Sequence, residues 1–166
     1  LNDSIVPDKF VYGTVADNQF VYISFPPVLS RYNYLTDSLE SFTNNLQYDG
    51  ALHDIGFPLL RSRSGMIWIG SSDGLSIFDP EKKSFINYRH DESQSNSISN
   101  NHITALYEDR LGHILIGTED GLNFYNQKTK QFKRFDNEEG QSLSTNYIRS
   151  ILQDSNGVYW IGTEEG

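Results

Sequence analysis

Acidic residues recur in pairs ahead of a glycine, and paired carboxylates can act as a general acid and base or hold a cation. The pairs are Glu119-Asp120 and Glu164-Glu165, with Ser72-Asp73 at the equivalent place. A structural turn explains them better, because every copy of a repeated turn needs the same residues. We therefore predict solvated turns here, with no catalytic residue, no metal site and no cofactor.

The other polar motifs also favour structural roles. The four histidines lack the spacing of a helical metal pair and have no counterparts in other copies of the repeat, so zinc is not expected at His53, His90, His102 or His113. The segment Asp154-Ser155-Asn156-Gly157 is rich in oxygen ligands, but its glycine is fourth where an EF-hand loop needs it sixth. It predicts a hairpin turn capped by a side chain.

Two kinds of residue remain as candidates for ligand contact. Trp68 and Trp160 can stack on sugars, but each lies within an apolar strand, which favours core packing. Loops on a rigid scaffold are the more common binding sites. The candidate loop residues are Glu119, Asp120, Thr145 and Asn146. The first two lie in an acidic turn and the other two in a repeat opening. Because this turn and this opening both join strands running in the same sense, we expect the four residues at one end of the fold.

These loops belong to a repeat of 45 to 47 residues, whose clearest segments start at Gly65, Gly112 and Gly157. Each copy opens with a Ser-Leu-Ser-like stretch, starting at residues 4, 51, 97 and 142. The predicted units are 1–50, a degenerate first blade, then 51–96, 97–141 and 142–166, the last being half a blade.

Each clear unit contains four short apolar runs separated by turn residues, which predicts four antiparallel strands and hence a β-propeller blade. The second run is apolar on both faces, as Ile67-Trp68-Ile69 shows, and this is typical of a sheet covered on both sides. A β-sandwich is the alternative fold. A helical turn is an alternative for the stretch with Leu35, Leu39 and Phe42 at helical spacing.

The composition excludes several classes of function. The formal net charge of −9 argues against binding to nucleic acid or to an anionic membrane surface. The absence of cysteine removes disulfides and thiolate chemistry. No apolar run approaches the roughly 18 residues that a membrane-spanning helix needs.

The repeat resembles the two-component regulator propeller repeat. The matching residues in the last copy are Ser142-Leu143-Ser144, Asn146, Ile148, Asp154, Gly157, Trp160-Ile161-Gly162-Thr163 and Gly166. The resemblance covers residues 51–166 well and residues 1–50 only by register.

This resemblance implies a segment of a seven-bladed propeller from the periplasmic sensor of a Bacteroidetes hybrid two-component histidine kinase. It also implies sensing of oligosaccharides and control of polysaccharide-utilisation genes, with no kinase residues in this chain. Two alternatives stay open, a platform for protein interaction or dimerisation and a sialidase-like or lyase-like enzyme.

The length adds one expectation. A repeat of about 46 residues divides 166 into about three and a half blades, whereas a propeller needs at least four. We expect the chain to be part of a larger ring, in contact with neighbouring blades or domains of the same protein, or to complete its blades with a second copy.

Overall fold

The computed structural model describes residues 11, 13–25, 27–44, 58–136 and 143–165. These residues form fourteen β-strands and no helix, arranged as three four-stranded sheets and one two-stranded sheet. Within each sheet, consecutive strands pair antiparallel, so the predicted all-β propeller segment is confirmed. The predicted openings at 4–10 and 51–57, together with His53, lie outside the described residues, and the limits of the four units stay predictions.

Each sheet is one blade, and we number the blades 1 to 4 along the chain. Blade 1 consists of β1 (Gly13–Ala16), β2 (Phe20–Phe25), β3 (Val28–Asn33) and β4 (Ser38–Thr43). Blade 2 consists of β5 (Leu59–Arg61), β6 (Ile67–Ser71), β7 (Gly74–Asp79) and β8 (Ser84–Tyr88). Blade 3 consists of β9 (Ile103–Glu108), β10 (Ile114–Thr118), β11 (Gly121–Asn126) and β12 (Gln131–Phe135). The described part of blade 4 is the hairpin of β13 (Ile148–Gln153) and β14 (Tyr159–Thr163).

The first strand of each blade is its innermost strand. β1 lies beside β5, β5 beside β9, and β9 beside β13, whereas β4, β8 and β12 form the outer edges of their sheets. The chain therefore leaves each blade at its outer edge and crosses to the inside of the next one. This arrangement places the repeat opening at 97–102 in the loop between blades 2 and 3.

Apolar side chains are buried in the seams between blades rather than in one central core. The seam between blades 1 and 2 holds Tyr22, Leu29, Ile67, Ile69 and Phe78. The seam between blades 2 and 3 holds Trp68, Leu75, Ile77, Ile98, Ile103, Ile114, Ile116, Tyr125 and Phe132. The seam between blades 3 and 4 holds Ala105, Leu115, Leu122 and Ile148. In β6, Ile67 and Ile69 thus face one seam and Trp68 the next, which confirms the prediction of a strand covered on both faces.

Glycines at the end of the second strand allow neighbouring inner strands to approach closely. A Cβ atom on Gly70 would lie 2.9 Å from the Cβ atom of Ile103, and one on Gly117 would lie 2.6 Å from Cγ2 of Ile148. Real Cβ contacts are essentially never this short, so a side chain at either position would push the next blade away.

The alternative of a helical turn near Leu35 is wrong. Residues 34–37 form a turn and Leu39 and Phe42 lie in β4, where Leu39 pairs with Tyr32. The turn prevails because Oδ1 of Asn33 accepts hydrogen bonds from the backbone N–H groups of Leu35 and of Thr36, at 3.0 and 3.2 Å.

The same turn recurs in blades 2 and 3. Asp79 and Asn126 cap it, and each copy ends at a residue in the left-handed region, with φ of 54° at Asp37, 54° at Lys83 and 57° at Lys130.

The two tryptophans occupy equivalent positions with opposite burial, which allows a matched test. Trp68 is 1% exposed and packs edge-on against Tyr125 at 5.2 Å, whereas Trp160 is 62% exposed. Trp68→Ala should therefore lower the free energy of unfolding by about 3–5 kcal/mol. Trp160→Ala should cost far less, because little of its ring is removed from water. Urea unfolding followed by circular dichroism measures both, and equal losses would contradict the seam assignment.

Candidate functional site

The loop residues predicted as ligand contacts lie together at one end of blades 3 and 4. Glu119 and Asp120 form the turn between β10 and β11, and Asn146 lies in the loop that leads into β13. The side-chain amide of Asn146 donates to Oδ1 of Asp120 at 2.9 Å, and the backbone N–H of Gly121 donates to the carbonyl of Asn146 at 2.7 Å. The opening loop of one blade is thus tied to the turn of the blade before it.

The turn that carries the acidic pair is closed by a threonine. Oγ1 of Thr118 donates to the carbonyl of Gly121 at 2.9 Å and accepts from the backbone N–H of Asp120 at 3.0 Å. Ser71 makes the same two bonds in blade 2, to Gly74 and Asp73. The recurrence of an acidic residue here accompanies the recurrence of the turn, as the sequence indicates.

Thr145 differs from the other three candidates. Its hydroxyl oxygen is buried and has no hydrogen-bond partner among the residues that the structure describes. The structure therefore brings Glu119, Asp120 and Asn146 to the surface of this end but keeps the Thr145 hydroxyl inside. A ligand-binding role for the four residues stays a prediction.

A polar network extends from Glu119 toward the inner strands, and sequence reasoning missed it. Nδ1 of His102 lies 2.8 Å from Oε1 of Glu119. Arg149 places its guanidinium 4.1 Å from the ring centre of Tyr147 and donates to Glu164 at 2.8 Å. We call these five residues the inner-rim cluster.

The signal for the inner-rim cluster was the equivalent position of His102 and Tyr147, each directly after the asparagine of a repeat opening.

The inner-rim cluster also affects the ionisation of a phenol. Burial is the largest cause that raises the pKa of Tyr147. The charge of Glu119 and its hydrogen bond to the phenol raise this pKa further, whereas the charge of Arg149 lowers it. Tyr147 is therefore a neutral hydrogen-bonding group near pH 7. The cluster offers paired charges and hydrogen-bonding groups, and both of its carboxylates have a partner, Glu119 with His102 and Glu164 with Arg149.

The opposite end of the blades is built from capped turns. Oδ1 of Asp154 accepts from the backbone N–H groups of Asn156 and Val158, at 2.8 and 3.0 Å, which confirms a capped hairpin turn rather than a calcium loop. Asp109 caps the equivalent turn of blade 3 with two bonds of 2.8 Å, from Leu111 and His113.

Asp109 also joins two blades. It is 0% exposed, its Oδ2 lies 2.8 Å from Nδ1 of His113, and the same oxygen accepts a 2.7 Å hydrogen bond from the phenol of Tyr159 in blade 4. Burial works to raise the pKa of Asp109, but the bonds from Tyr159 and His113 outweigh it and the pKa is lowered. Burial and the hydrogen bond to Asp109 raise the pKa of Tyr159 to about 12.

Arginines link successive turns at this same end. The guanidinium of Arg63 donates to the carbonyls of Asp109 and Arg110, the latter at 3.0 Å, and that of Arg110 donates to the carbonyl of Ser155 at 2.7 Å. Because each arginine reaches into the following blade, we call this series the arginine ladder. It is a structural use of charge, and it leaves these groups little freedom for a ligand.

The described histidines fill loop roles, as the sequence predicts. Nδ1 of His90 lies 2.8 Å from the carbonyl of Ile98, while His102 and His113 make the contacts given above. Across the ranges that the structure describes, no group of three or more His, Asp or Glu side chains is arranged to hold a metal ion. Within those ranges there is also no helix long and apolar enough to cross a membrane.

Comparison with protein families identifies the repeat. A family model described as the two-component regulator propeller matches residues 97–120 and 142–165. Residues 97–120 and 142–165 thus each carry a two-component regulator propeller repeat. Both matches run from a repeat opening to the acidic turn, so the two-component regulator propeller repeat includes the loop, the inner hairpin and the turn described above. A comparison with curated proteins finds no match.

Solved structures with the same fold come from larger proteins. The extracellular domain of the hybrid two-component system BT3049 from B. thetaiotaomicron is 16% identical, with a TM-score of 0.79 over 97% of this chain and 23% of that one. The extracellular domain of BT4673 from the same organism is 23% identical, with a TM-score of 0.69 over 98% of this chain and 21% of that one.

A third similar structure has a different context. PorZ, a surface component of the type-IX secretion system of Porphyromonas gingivalis, is 17% identical, with a TM-score of 0.69 over 98% of this chain and 26% of that one. The chain therefore spans about a quarter of the length of these three structures. At these identities the likeness establishes the fold.

The buried contacts of Asp109 lead to a stability prediction. Asp109→Ala leaves two turn N–H groups and the Tyr159 phenol without their acceptor, so we expect a loss of roughly 2–4 kcal/mol in the free energy of unfolding. Asp154→Ala is the matched control, because it removes the same cap at an exposed turn without a phenol from another blade, and its effect should be smaller.

The same pair of variants tests the pH dependence. The pKa of Asp109 is lower in the folded chain than the value of about 3.9 expected when unfolded. Its stabilisation is thus fully present above about pH 4 and is lost as the pH falls through the folded pKa. The difference between wild type and Asp109→Ala should shrink in acid. A difference that stays constant down to pH 2 would exclude an ionised Asp109 as the cause.

Proposed function

We propose that this chain is part of the extracytoplasmic sensor region of a hybrid two-component signalling protein. The observation that carries the proposal is the match of two successive repeats, at 97–120 and 142–165, to the two-component regulator propeller. The fold shared with extracellular domains of two hybrid two-component systems supports the same assignment. The proposed compartment is the periplasm, with the sensor region belonging to an inner-membrane protein.

The proposed signal is an oligosaccharide, and the proposed output is control of polysaccharide-utilisation genes. Support comes from the resemblance of the repeat and from the scaffold, which carries polar loops on rigid, hydrogen-bonded blades. A ligand would act by favouring one packing of the propeller against a neighbouring domain, since a ligand shifts an equilibrium only by its difference in affinity for the two states.

The proposed role is recognition without catalysis. The recurring carboxylates are engaged in structural contacts: Glu119 with His102, Asp120 with Asn146, and Glu164 with Arg149. A general acid or base needs a carboxylate that can reach a substrate proton, and each of these is already paired. This favours a binding segment over a sialidase-like or lyase-like enzyme.

A specific observation favours a second candidate, a platform for protein interaction or dimerisation. Leu152 and Trp160 are cross-strand partners in blade 4 and are 56% and 62% exposed. Their equivalents in blade 2, Leu60 and Trp68, lie in the seam with blade 3. A face of this composition suits another blade or a second copy of the chain.

The reading frame that encodes the chain gives the first test. We expect it to encode a membrane-spanning helix followed by a histidine kinase on the C-terminal side of the propeller repeats. A reading frame without a kinase would overturn the assignment to a hybrid two-component protein.

A cellular experiment separates the sensor from the platform. In-frame deletion of residues 97–141 from the chromosomal gene should abolish induction of polysaccharide-utilisation transcripts by the inducing polysaccharide, measured by quantitative PCR. A matched strain with Trp160→Ser changes the face of blade 4 that would meet another blade or a second copy. Loss of induction in that strain, with oligosaccharide binding by the purified protein unchanged, would favour the platform.

A further inference from the structure

A cavity of about 740 Å³ lies where the outer strands of blades 2 and 3 face each other. Its walls are the end of β8, the loop 89–102 that crosses from blade 2 to blade 3, and the beginning of β12. This volume is within the roughly 300–1,000 Å³ of sites for small molecules. The cavity is distant in sequence from the acidic turn at Glu119 and Asp120, and neither residue lines it.

The loop that covers the cavity is held in one conformation. Asp91 accepts from the backbone and side chain of Ser93, at 2.9 and 2.6 Å, and from the amide of Gln94 at 2.6 Å. Arg134 of β12 donates to the carbonyls of Ser97 and Gln94, at 2.8 and 3.0 Å. A loop fixed in this way loses little conformational entropy when a ligand binds.

Two aromatic residues are among those that line the cavity. Tyr88 and Phe132, from the two facing strands, have ring centres 5.0 Å apart, and the Tyr88 phenol lies 3.0 Å from that of Tyr125. This part of the lining therefore belongs to the packed seam of both blades. Its rings are fixed in position, which suits a surface that contacts the apolar face of a ligand.

Three side chains around the rim are free for a ligand. In the part of the chain that the structure describes, the side chains of Glu92, Asn96 and Lys130 line the cavity and make no hydrogen bond or ion pair. Together they offer an ammonium donor, a carboxylate acceptor, and an amide that does both. Ligands rich in hydroxyl groups need this mixture, because each hydroxyl donates one bond and accepts others.

The freedom of Lys130 contrasts with its equivalent in the preceding blade. Lys83 ends the same turn in blade 2, and its ammonium lies 2.5 Å from Oε1 of Glu40 in blade 1. The position equivalent to Glu40 in blade 2 is Ile86, which is 50% exposed. The seam between blades 2 and 3 has thus exchanged an ion pair for an apolar side chain and an unpaired ammonium.

The charges around the cavity nearly balance. Arg89 and Lys130 oppose Asp91 and Glu92, and Arg89 is itself paired with Asp73. A polyanion or a phosphate would meet the carboxylates of Asp91 and Glu92, and a cation would meet the two basic groups. A neutral ligand is repelled by neither set of charges.

The geometry points to this cavity, rather than to the loops that carry Glu119, Asp120 and Asn146, as a binding site for a neutral oligosaccharide. This inference rests on the proposed sensor function and assigns it a place and a ligand class. Glu92, Asn96 and Lys130 bond sugar hydroxyls, and Tyr88 and Phe132 contact the apolar face of the sugar ring. Because the cavity spans a seam, a bound sugar bridges blades 2 and 3.

Isothermal titration calorimetry of the full chain tests the inference, with cello-, xylo-, manno-, malto- and fructo-oligosaccharides as probes and oligogalacturonate as the charged comparison. Lys130→Asn and the double variant Glu92→Gln/Asn96→Ala should each weaken binding of the neutral probe by about tenfold or more. Lys83→Asn is the matched control, since it changes a lysine in the same left-handed position outside the cavity, and it should leave binding unchanged.

The other outcomes separate the site from the function. If Glu119→Gln or Asp120→Asn abolishes oligosaccharide binding while the cavity variants retain it, the cavity is overturned and the sensor function stands. Tighter binding of oligogalacturonate than of every neutral probe would overturn the ligand class. If the wild-type chain binds no oligosaccharide, both this inference and the proposed signal fail.

Discussion

The structure depends on one constraint, that each blade is apolar on both faces. Ile67 and Ile69 pack toward blade 1 while Trp68, on the same strand, packs toward blade 3. A sheet of this kind cannot expose either face without cost, at about 25 cal/mol for each Å² of apolar surface left in water. Neighbouring blades are therefore part of the core of every blade, and the seams carry most of the hydrophobic stabilisation.

Hydrogen bonds at the two ends of the seams hold the blades in register. At one end, Asn146 bonds the turn at Asp120, and at the other, Arg63 and Arg110 bond the turns that follow them. Both sets join one blade to the next rather than strands within a blade. Asp120 takes part in one of these links through its contact with Asn146, and Glu119 contacts His102 within blade 3.

Much of this architecture could be predicted from the sequence because equivalent residues recur in each copy of the repeat and so mark the positions of strands and turns. The strands and the capped turn at Asp154 follow from residues that recur at fixed spacing. The repeated pattern did not reveal which side chains would meet across a seam or beside a turn. Tyr159 reaching Asp109, or His102 reaching Glu119, depends on how one sheet is tilted against the next.

The cavity under loop 89–102 was hidden for a similar reason, since it arises from two outer strands that are distant in sequence. Helical spacing at Leu35, Leu39 and Phe42 was misleading because a turn capped by Asn33 outweighed it.

The glycines on the second strands have a geometrical consequence for the whole ring. Beside the inner strands, Gly70 lets blades 2 and 3 come close together, while farther out the same seam is filled by the large rings of Tyr88, Tyr125 and Phe132. Side-chain volume in this seam thus grows with distance from the inner strands, and the seam is a wedge. The angle of that wedge decides how many blades complete a full turn, so the blade number of a propeller is determined by the sizes of a few residues at its seams.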